Sequence, residues 1–165
     1  MSAFSVEFRG IEDAVTCDVA VASSDDATPK FTQCKSLWDT GAAFSVISRR
    51  LVDALGADPI DQGFAYTVQG TYRPNVYMVD VMLPNQMLVR GLRVSDGVFD
   101  DADILIGMDI IKMGDLMASN HGKTRFTFRI PSEGDFAAVT FGEGFSVQLT
   151  PLLIFPTYKN TTQRD

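Results

Sequence analysis

The segment LWDTGAAFSVI, residues 37–47, interrupts an apolar run with an acid, a hydroxyl and a glycine before apolar residues resume. Residues 31–38 have the pattern of a strand, so Asp39 falls where a buried strand ends. The sheet would hold such a carboxylate in place while leaving it open to a cleft, which suits a general base. Gly41 allows a sharp turn in which its N–H can approach the carboxylate. Asp and Gly are also common in ordinary turns, so the tripeptide alone does not establish an active site.

The composition is that of a single soluble globular domain, with 165 residues of which 45% are apolar and 21% are charged. The net charge is −7 and no basic stripe is present, which argues against nucleic acid or an anionic membrane as a partner. No apolar run approaches the roughly 20 residues that span a bilayer. The N-terminus lacks the basic start and long apolar core of a secretory signal, so we expect a cytoplasmic protein.

Few other chemistries fit the residues present. The one histidine, His121, lies in an Asn-His-Gly turn, so a Ser-His-Asp or Cys-His arrangement has no suitable base. Cys17 and Cys34 lack metal-ligand spacing, and one histidine with two distant cysteines does not make a credible zinc site. We expect two buried thiols, with a disulfide between neighbouring strands as the alternative. No phosphate-binding glycine loop is present, and no metal or cofactor is expected.

Short alternating segments dominate the chain and predict a mostly β domain. One short helix is predicted from Ser48, a suitable N-cap, to Gly56, a natural C-terminal stop. One or two further helical turns are predicted over residues 108–113, and a hairpin with a polar, glycine-containing loop at 69–75. The predicted strands are 4–8, 15–21, 31–38, 64–68, 76–83, 86–94, 103–107 and 125–130, with one or two more within 132–165.

A second motif, Ile-Leu-Ile-Gly at residues 104–107, is a short apolar strand that ends in glycine and leads into a helix. By itself this segment is simply a buried strand. Next to a loop at residues 39–41, however, Gly107 would leave room where any side chain would collide. Between the two motifs, Gly70 in the hairpin loop could present bare backbone donors to an extended peptide.

These two motifs in this order, with the hairpin between them, resemble the retropepsin family, the single-domain aspartic proteases of retroviruses and their cellular and bacterial relatives. The resemblance covers about residues 10–131 and treats 132–165 as a C-terminal extension of one domain, residues 1–165. It implies a closed β-barrel with a flap hairpin, one or two short helices and a homodimeric assembly. It also implies an aspartic endopeptidase that acts on polypeptides and requires no metal or organic cofactor.

Hydrolysis by this chemistry needs two carboxylates that share a proton, one acting as base on a water and the other as acid toward the carbonyl oxygen. The chain contains one Asp-Thr-Gly. Neither Asp109 nor Asp115 follows an apolar strand and precedes Thr-Gly or Ser-Gly, and a two-lobed enzyme would need a longer chain. The second Asp39 must therefore come from a second copy of the chain, across an isologous interface.

The resemblance also assigns the candidate site residues. Asp39, Thr40 and Gly41 would be catalytic, and in the family this threonine bonds across to the partner copy. The expected substrate-binding residues are Ala42, Gln69, Gly70, Thr71 and Gly107.

The chain departs from the family pattern beside both motifs. Retroviral members commonly carry an acid directly after Asp-Thr-Gly-Ala and an arginine after the later glycine, whereas this chain has Ala43 and Met108. Asp109 matches an acidic position seen in some members. Two alternatives therefore stay open: a retropepsin-fold module that binds peptides or dimerises without cleaving, and a small β-barrel with a chance Asp-Thr-Gly.

Overall fold

The computed structural model describes residues 2–25, 28–67 and 70–133, and all structural statements below concern these residues. They form short strands and two short helices. In chain order these are β1 (Ser2–Glu7), β2 (Val15–Ser23), β3 (Thr32–Trp38), β4 (Val46–Ser48), α1 (Arg49–Leu55), β5 (Asp61–Gln62), β6 (Ala65–Thr67), β7 (Gly70–Tyr72), β8 (Asn75–Met82), β9 (Leu88–Gly97), β10 (Ile104–Ile106), α2 (Met108–Ile111), β11 (Asp115–Ser119) and β12 (Arg125–Ile130).

Six strands close into a barrel. They pair in the order β2, β3, β10, β4, β9 and β8, and β8 pairs back onto β2. The inward-facing side chains are mostly β-branched, for example Val19 and Val21 of β2 and Val79 and Val81 of β8, all essentially buried. A closed barrel satisfies strand edges that an open sheet would expose. The predicted fold, mostly β with a closed barrel and two short helices, is confirmed in the described residues, and the homodimeric assembly stays a prediction.

A second, three-stranded sheet is formed by β1, β12 and β11, all antiparallel. The expected alternation in β1 is present, and Phe4 points toward the apolar side. Its ring packs 5.9 Å from the Trp38 indole, and the rings of Phe126 and Phe128 each lie 4.9 Å from Trp38, centroid to centroid. This aromatic cluster joins the three-stranded sheet to the end of β3, one residue before Asp39.

The first helix has the predicted caps. The hydroxyl of Ser48 accepts a hydrogen bond from Leu51 N at 3.1 Å, as expected for an N-cap. Gly56 takes a left-handed φ of 59° and donates its N–H to the last carbonyls of the helix. No helix in the described part of the chain is long and apolar enough to cross a membrane.

The two cysteines are free thiols buried in the barrel, as predicted. Burial raises the pKa of both, that of Cys34 to about 12, so both remain protonated and unreactive at neutral pH. Cys17 also accepts a hydrogen bond from the Trp38 indole N–H at 3.2 Å.

The predicted hairpin was wrong in its pairing. We expected strands at 64–68 and 76–83 with 69–75 as the loop, but β6 pairs with β7 through Thr67 and Gly70, so residues 70–72 are strand. Thr71 and Tyr72 are residue types that favour strands, and Pro74, which has no N–H to donate, separates β7 from β8. Beyond the hairpin, β8 pairs with β5 and β9.

The C-terminal part of the chain was only partly anticipated. Strand β11 was missed, because its sequence DLMAS lacks a clear alternation. Strand β9 runs to Gly97 rather than 94. Residues 132 and 133 are not in a strand, and the other residues of the predicted extension, 134–165, lie outside the described residues, so the strands expected there stay a prediction.

Strand β11 is fixed to β12 by Asp115. Its carboxylate accepts hydrogen bonds from Ser132 Oγ at 2.5 Å, Glu133 N at 3.0 Å and Arg129 Nε at 2.9 Å. These contacts, that of Ser132 foremost, lower the pKa of Asp115 from 3.8 to about 2. Because the folded state favours the ionised form, Asp115 stabilises the fold above its unfolded pKa, and this contribution disappears as the pH falls through about 4 to about 2.

We therefore expect Asp115→Asn to lower the free energy of unfolding at neutral pH and to flatten its decline between about pH 4 and about pH 2. Urea titrations at a series of pH values measure both effects. Asp58→Asn, at an exposed acid of the loop after α1, is the control and should leave the profile unchanged. An unaltered acid slope in Asp115→Asn would contradict the assignment.

Candidate active site

Asp39 is placed by two parallel strands. Strand β3 ends at Trp38, which is 7% exposed, and β10 runs alongside it with Ile106 level with Trp38. The N–H of Asp39 donates to the carbonyl of Ile106 at 3.0 Å, one position past the end of β3. The backbone of Asp39 is thus fixed by the barrel, while its side chain is half-buried at the start of a turn.

The turn itself orients the carboxylate. Gly41 N donates to Asp39 Oδ1 at 2.8 Å, and Ala42 N donates to the Asp39 carbonyl at 3.3 Å. A Cβ on Gly41 would lie 3.1 Å from the same carboxylate oxygen, so glycine permits this close approach. Thr40 between them is exposed at the surface. This N–H therefore fixes the orientation of the Asp39 carboxylate within the turn.

The second motif packs directly against this turn. Met108 N donates to the carbonyl of Ala42 at 2.8 Å. A Cβ on Gly107 would lie 2.6 Å from the Phe44 carbonyl carbon, 2.7 Å from its oxygen and 3.0 Å from the Ala42 oxygen. No side chain fits there without displacement of backbone. Gly107 therefore lies beside the Asp39 loop, as expected from the sequence, and its role in substrate binding stays a prediction.

Hydrogen bonds between Ser45 and Asp109 hold the loop that follows the Asp39 turn, and the sequence did not predict them. The carboxylate of Asp109, in α2, accepts hydrogen bonds from Ser45 N at 2.8 Å and Ser45 Oγ at 2.7 Å. Ser45 Oγ in turn accepts from Gly107 N at 3.0 Å, and Ser45 is fully buried. Asp109 therefore positions the loop at residues 42–45. The only sequence signal was the acid at a family position, and its partner lies 64 residues away.

Two other carboxylates near this region, those of Asp103 and Asp115, also accept hydrogen bonds within the fold. Asp103 accepts from Lys35 N at 3.0 Å and from Arg50 Nη2 at 2.6 Å. Burial opposes its ionisation, but the hydrogen bonds from Lys35 and Arg50 together outweigh burial and lower the pKa of Asp103. Asp115 is held as described above. Among these acids, Asp39 alone is presented by a surface turn that another molecule could reach.

An open groove of about 420 Å³ runs beside Asp39 and Thr40. Its remaining walls are largely apolar, with one further acid, and come from the residues leading into β2, the end of β3 and the three-stranded sheet. They are Asp13, Ala14, Val15, Leu37, Trp38, Leu116, Ala118 and Phe126. Phe44, on the loop after the turn, leaves 70% of its surface exposed. Apolar surface therefore flanks Asp39 both in the groove and on its own loop.

The remaining predicted substrate contacts belong to the hairpin. Gly70 and Thr71 are exposed residues of β7, and Gly70 has a φ of 123°, a backbone conformation that favours glycine. Gln69 lies outside the described residues. The structure thus groups residues 39–42 with Gly107, and places β6 and β7 in a separate two-stranded sheet. In the described part of the chain, no cluster of three or more His, Cys, Asp or Glu side chains is arranged to hold a metal ion.

Residues 31–110 match the model of a family described as aspartyl protease. The predicted resemblance is confirmed. The matched segment contains the Asp39 turn, the hairpin and Gly107, which are the features on which the resemblance was based. This match supports peptide-bond hydrolysis as the general class of activity.

Among solved structures, the chain is similar to a retropepsin-like aspartic protease from Rickettsia conorii, with 12% identity, 76% of this chain and 92% of that chain covered, and a TM-score of 0.49. It is also similar to the EIAV protease complexed with the inhibitor HBY-793, with 22% identity, coverage of 65% and 92%, and a TM-score of 0.49. It is similar as well to the retroviral protease-like domain of Ddi1 from Leishmania major, with 16% identity, 70% of this chain and 93% of that chain covered, and a TM-score of 0.40. No curated protein gives a significant match.

Proposed function

We propose that this protein is a homodimeric aspartic endopeptidase in which two Asp39 carboxylates, one from each subunit, activate the water that attacks a peptide bond. The proposal rests on the way in which the fold holds Asp39. Its backbone is bonded to β10, its carboxylate is oriented by Gly41 N–H, and its turn is exposed. The neighbouring acids Asp103, Asp109 and Asp115 are each held by several bonds within the fold.

The chemistry requires that the dyad hold one proton. Two carboxylates in close contact cannot both ionise without a large cost, so they titrate as a pair. The ionised Asp39 removes a proton from the water, and the protonated partner donates one to the carbonyl oxygen as the tetrahedral intermediate forms. As the C–N bond breaks, Asp39 gives the proton it took from water to the leaving amine nitrogen, and the partner carboxylate takes a hydroxyl proton from the intermediate, which restores the singly protonated dyad. The two-fold axis lies between the two Asp39 side chains, so each subunit supplies one acid.

The substrate we propose is a polypeptide bound in an extended conformation. The groove beside Asp39 and Thr40 has largely apolar walls, and Phe44 adds an exposed ring on the same loop. Burial of apolar peptide side chains against these surfaces would supply binding free energy. Strand β7 is an edge of the two-stranded hairpin sheet and its residues are exposed, which suits hydrogen bonding to a peptide main chain. A cytoplasmic location stays a prediction.

A second candidate is a retropepsin-fold module that binds peptides or dimerises without cleaving them. The replacement of the family's acid and arginine by Ala43 and Met108 favours it, because two charged contacts beside the site are lost together. Cleavage of a denatured protein by the purified chain distinguishes the two functions. If the protein binds a pepstatin-type inhibitor but cleaves no substrate, that result would favour the non-cleaving module.

We expect the specific activity to fall on dilution below the dimer dissociation constant, because a single chain supplies one catalytic acid. Initial rates of peptide cleavage over a dilution series, with the dimer fraction measured by sedimentation at the same concentrations, provide the test. The two curves should coincide. Full activity per chain in a sample that sediments as a monomer would overturn the shared dyad.

A further inference from the structure

A buried acid, Asp96, lies near the end of β9 and has no part in the proposed hydrolysis. It is 4% exposed. Burying a carboxylate is unfavourable unless the charge is paired and hydrogen-bonded, so the partners of Asp96 indicate what it holds in place. Its carboxylate contacts two segments that are distant in sequence, one at the base of the hairpin and one beside the Asp39 loop.

The first partner is the base of the hairpin. Asp96 Oδ1 accepts a hydrogen bond from Asn75 N at 2.9 Å. The ladder between β8 and β9 ends at the pair Val76–Ser95, so the Asp96 side chain replaces the backbone acceptor at the next position. Asn75 is the residue at which the chain returns from the hairpin to the barrel, opposite Gln62 of β5.

The second partner lies next to the catalytic loop. In the parallel pairing of β4 and β9, Ile47 is level with Asp96, and β4 begins directly after Ser45. Arg49, the first residue of α1, places its Nε 3.5 Å from Asp96 Oδ2. Asp96 therefore joins the hairpin base to the strand and helix that follow the Asp39 loop.

We infer that Asp96 is a positioning residue that sets the direction in which the hairpin leaves the barrel relative to the Asp39 turn, and thereby the affinity for an extended peptide. The effect on peptide affinity rests on the proposed function. The effect on the hairpin does not rest on the proposed function, because the hydrogen bond from Asn75 N to Asp96 is present whether or not the protein cleaves peptides.

A second buried acid provides a matched comparison. Asp80 of β8 is 7% exposed and accepts hydrogen bonds from Ser24 Oγ at 2.6 Å and Gly91 N at 2.9 Å. Gly91 lies at the irregularity within the β8–β9 pair and Ser24 directly follows β2, so neither partner belongs to the hairpin or to the Asp39 loop. Loss of Asp80 should therefore lower stability without changing the hairpin.

The experiment compares Asp96→Ala, Asp96→Asn and Asp80→Ala in the full chain. Hydrogen exchange of the segment 70–74 is measured first, because it needs no catalysis. Asp96→Ala should accelerate this exchange by about tenfold. Asp96→Asn keeps an oxygen that can accept from Asn75 N–H, so it should retain most of the protection. Asp80→Ala should leave the exchange of this segment unchanged. If Asp96→Ala does not fold, Asp96→Leu, which retains side-chain volume, takes its place.

Peptide cleavage is the second readout. Asp96→Ala should raise KM several-fold and change kcat less, since the catalytic acid is untouched. Equal acceleration of exchange in Asp96→Ala and Asp80→Ala, or no rescue by Asp96→Asn, would overturn the inference. An exchange effect limited to Asp96→Ala, in a protein whose wild type cleaves no peptide, would uphold the hairpin role and refute the protease proposal instead.

Discussion

Asp39→Asn is expected to reduce peptide cleavage by about 10³-fold or more while the protein remains folded. The amide oxygen can still accept the hydrogen bond that Gly41 N donates to Asp39 Oδ1, so the turn should persist. The amide cannot take a proton from water, and it cannot share a proton with the partner acid. The measurements are kcat on a denatured-protein substrate and the thermal unfolding temperature of the same preparation.

The control for this substitution is Asp13→Asn, at the other acid of the groove beside Asp39. It should retain most of the activity, since the proposed chemistry uses no acid there. Mixed dimers add a stricter test. Equimolar exchange of wild-type and Asp39→Asn chains should lower the activity of the wild-type chains to about half, because one-acid dimers are inactive. Unchanged activity in the mixture, or turnover by the pure variant, would exclude Asp39 as the shared acid.

Gly107→Ala is expected to destabilise the fold by about 3 kcal/mol and to remove activity with it. The added methyl would lie 2.6 Å from the Phe44 carbonyl carbon and 3.0 Å from the Ala42 oxygen, and both are backbone atoms that no rotamer change can move. The loop at residues 42–45 must shift, which breaks the bond from Met108 N to Ala42 O. Urea unfolding gives the stability, and cleavage rates at equal folded concentration give the activity.

Gly10→Ala is the matched glycine control, because a Cβ at that position meets nothing within 4 Å. Its free energy of unfolding should stay near that of the wild type. If Gly107→Ala proved as stable as Gly10→Ala, the close packing of the two motifs would be wrong. Retained folding with full activity would mean that the Asp39 loop tolerates displacement.

Local sequence patterns predicted the parts of the fold that local chemistry determines. The capped helix from Ser48 to Gly56 and the alternating strands β2 and β3 depend on neighbours a few residues away, so periodicity and capping rules were sufficient. The Asp39 turn and Gly107 could be paired because both motifs are short and occur in a known order. The expectation that Gly107 leaves room beside this loop agrees with the structure, whereas its contact with the Phe44 backbone was not predicted.

The missed features depend on contacts between distant segments. Ser45 and Asp109 are 64 residues apart, and nothing in the sequence around either residue indicates that they form hydrogen bonds with each other. Asp96 belongs to an acid-rich stretch that is typical of a solvated loop, yet β9 carries it into the interior. The pairing of β7 with β6 was missed because Gly70 suggested a loop, whereas its φ of 123° is accommodated within the hairpin.

The aromatic cluster beneath Asp39 also has a consequence for how the protein is made. Trp38 is covered by Phe4 from the first strand and by Phe126 and Phe128 from the last described one, and β1 pairs with β12 along its whole length. During synthesis, the support of the catalytic turn therefore cannot be completed until the polypeptide has left the ribosome as far as β12. Because non-local pairing of this kind is slow, the Asp39 turn would gain its support late relative to the synthesis of the barrel strands β2 to β10. In the proposed protease, this order of assembly would delay cleavage until β12 has been synthesised.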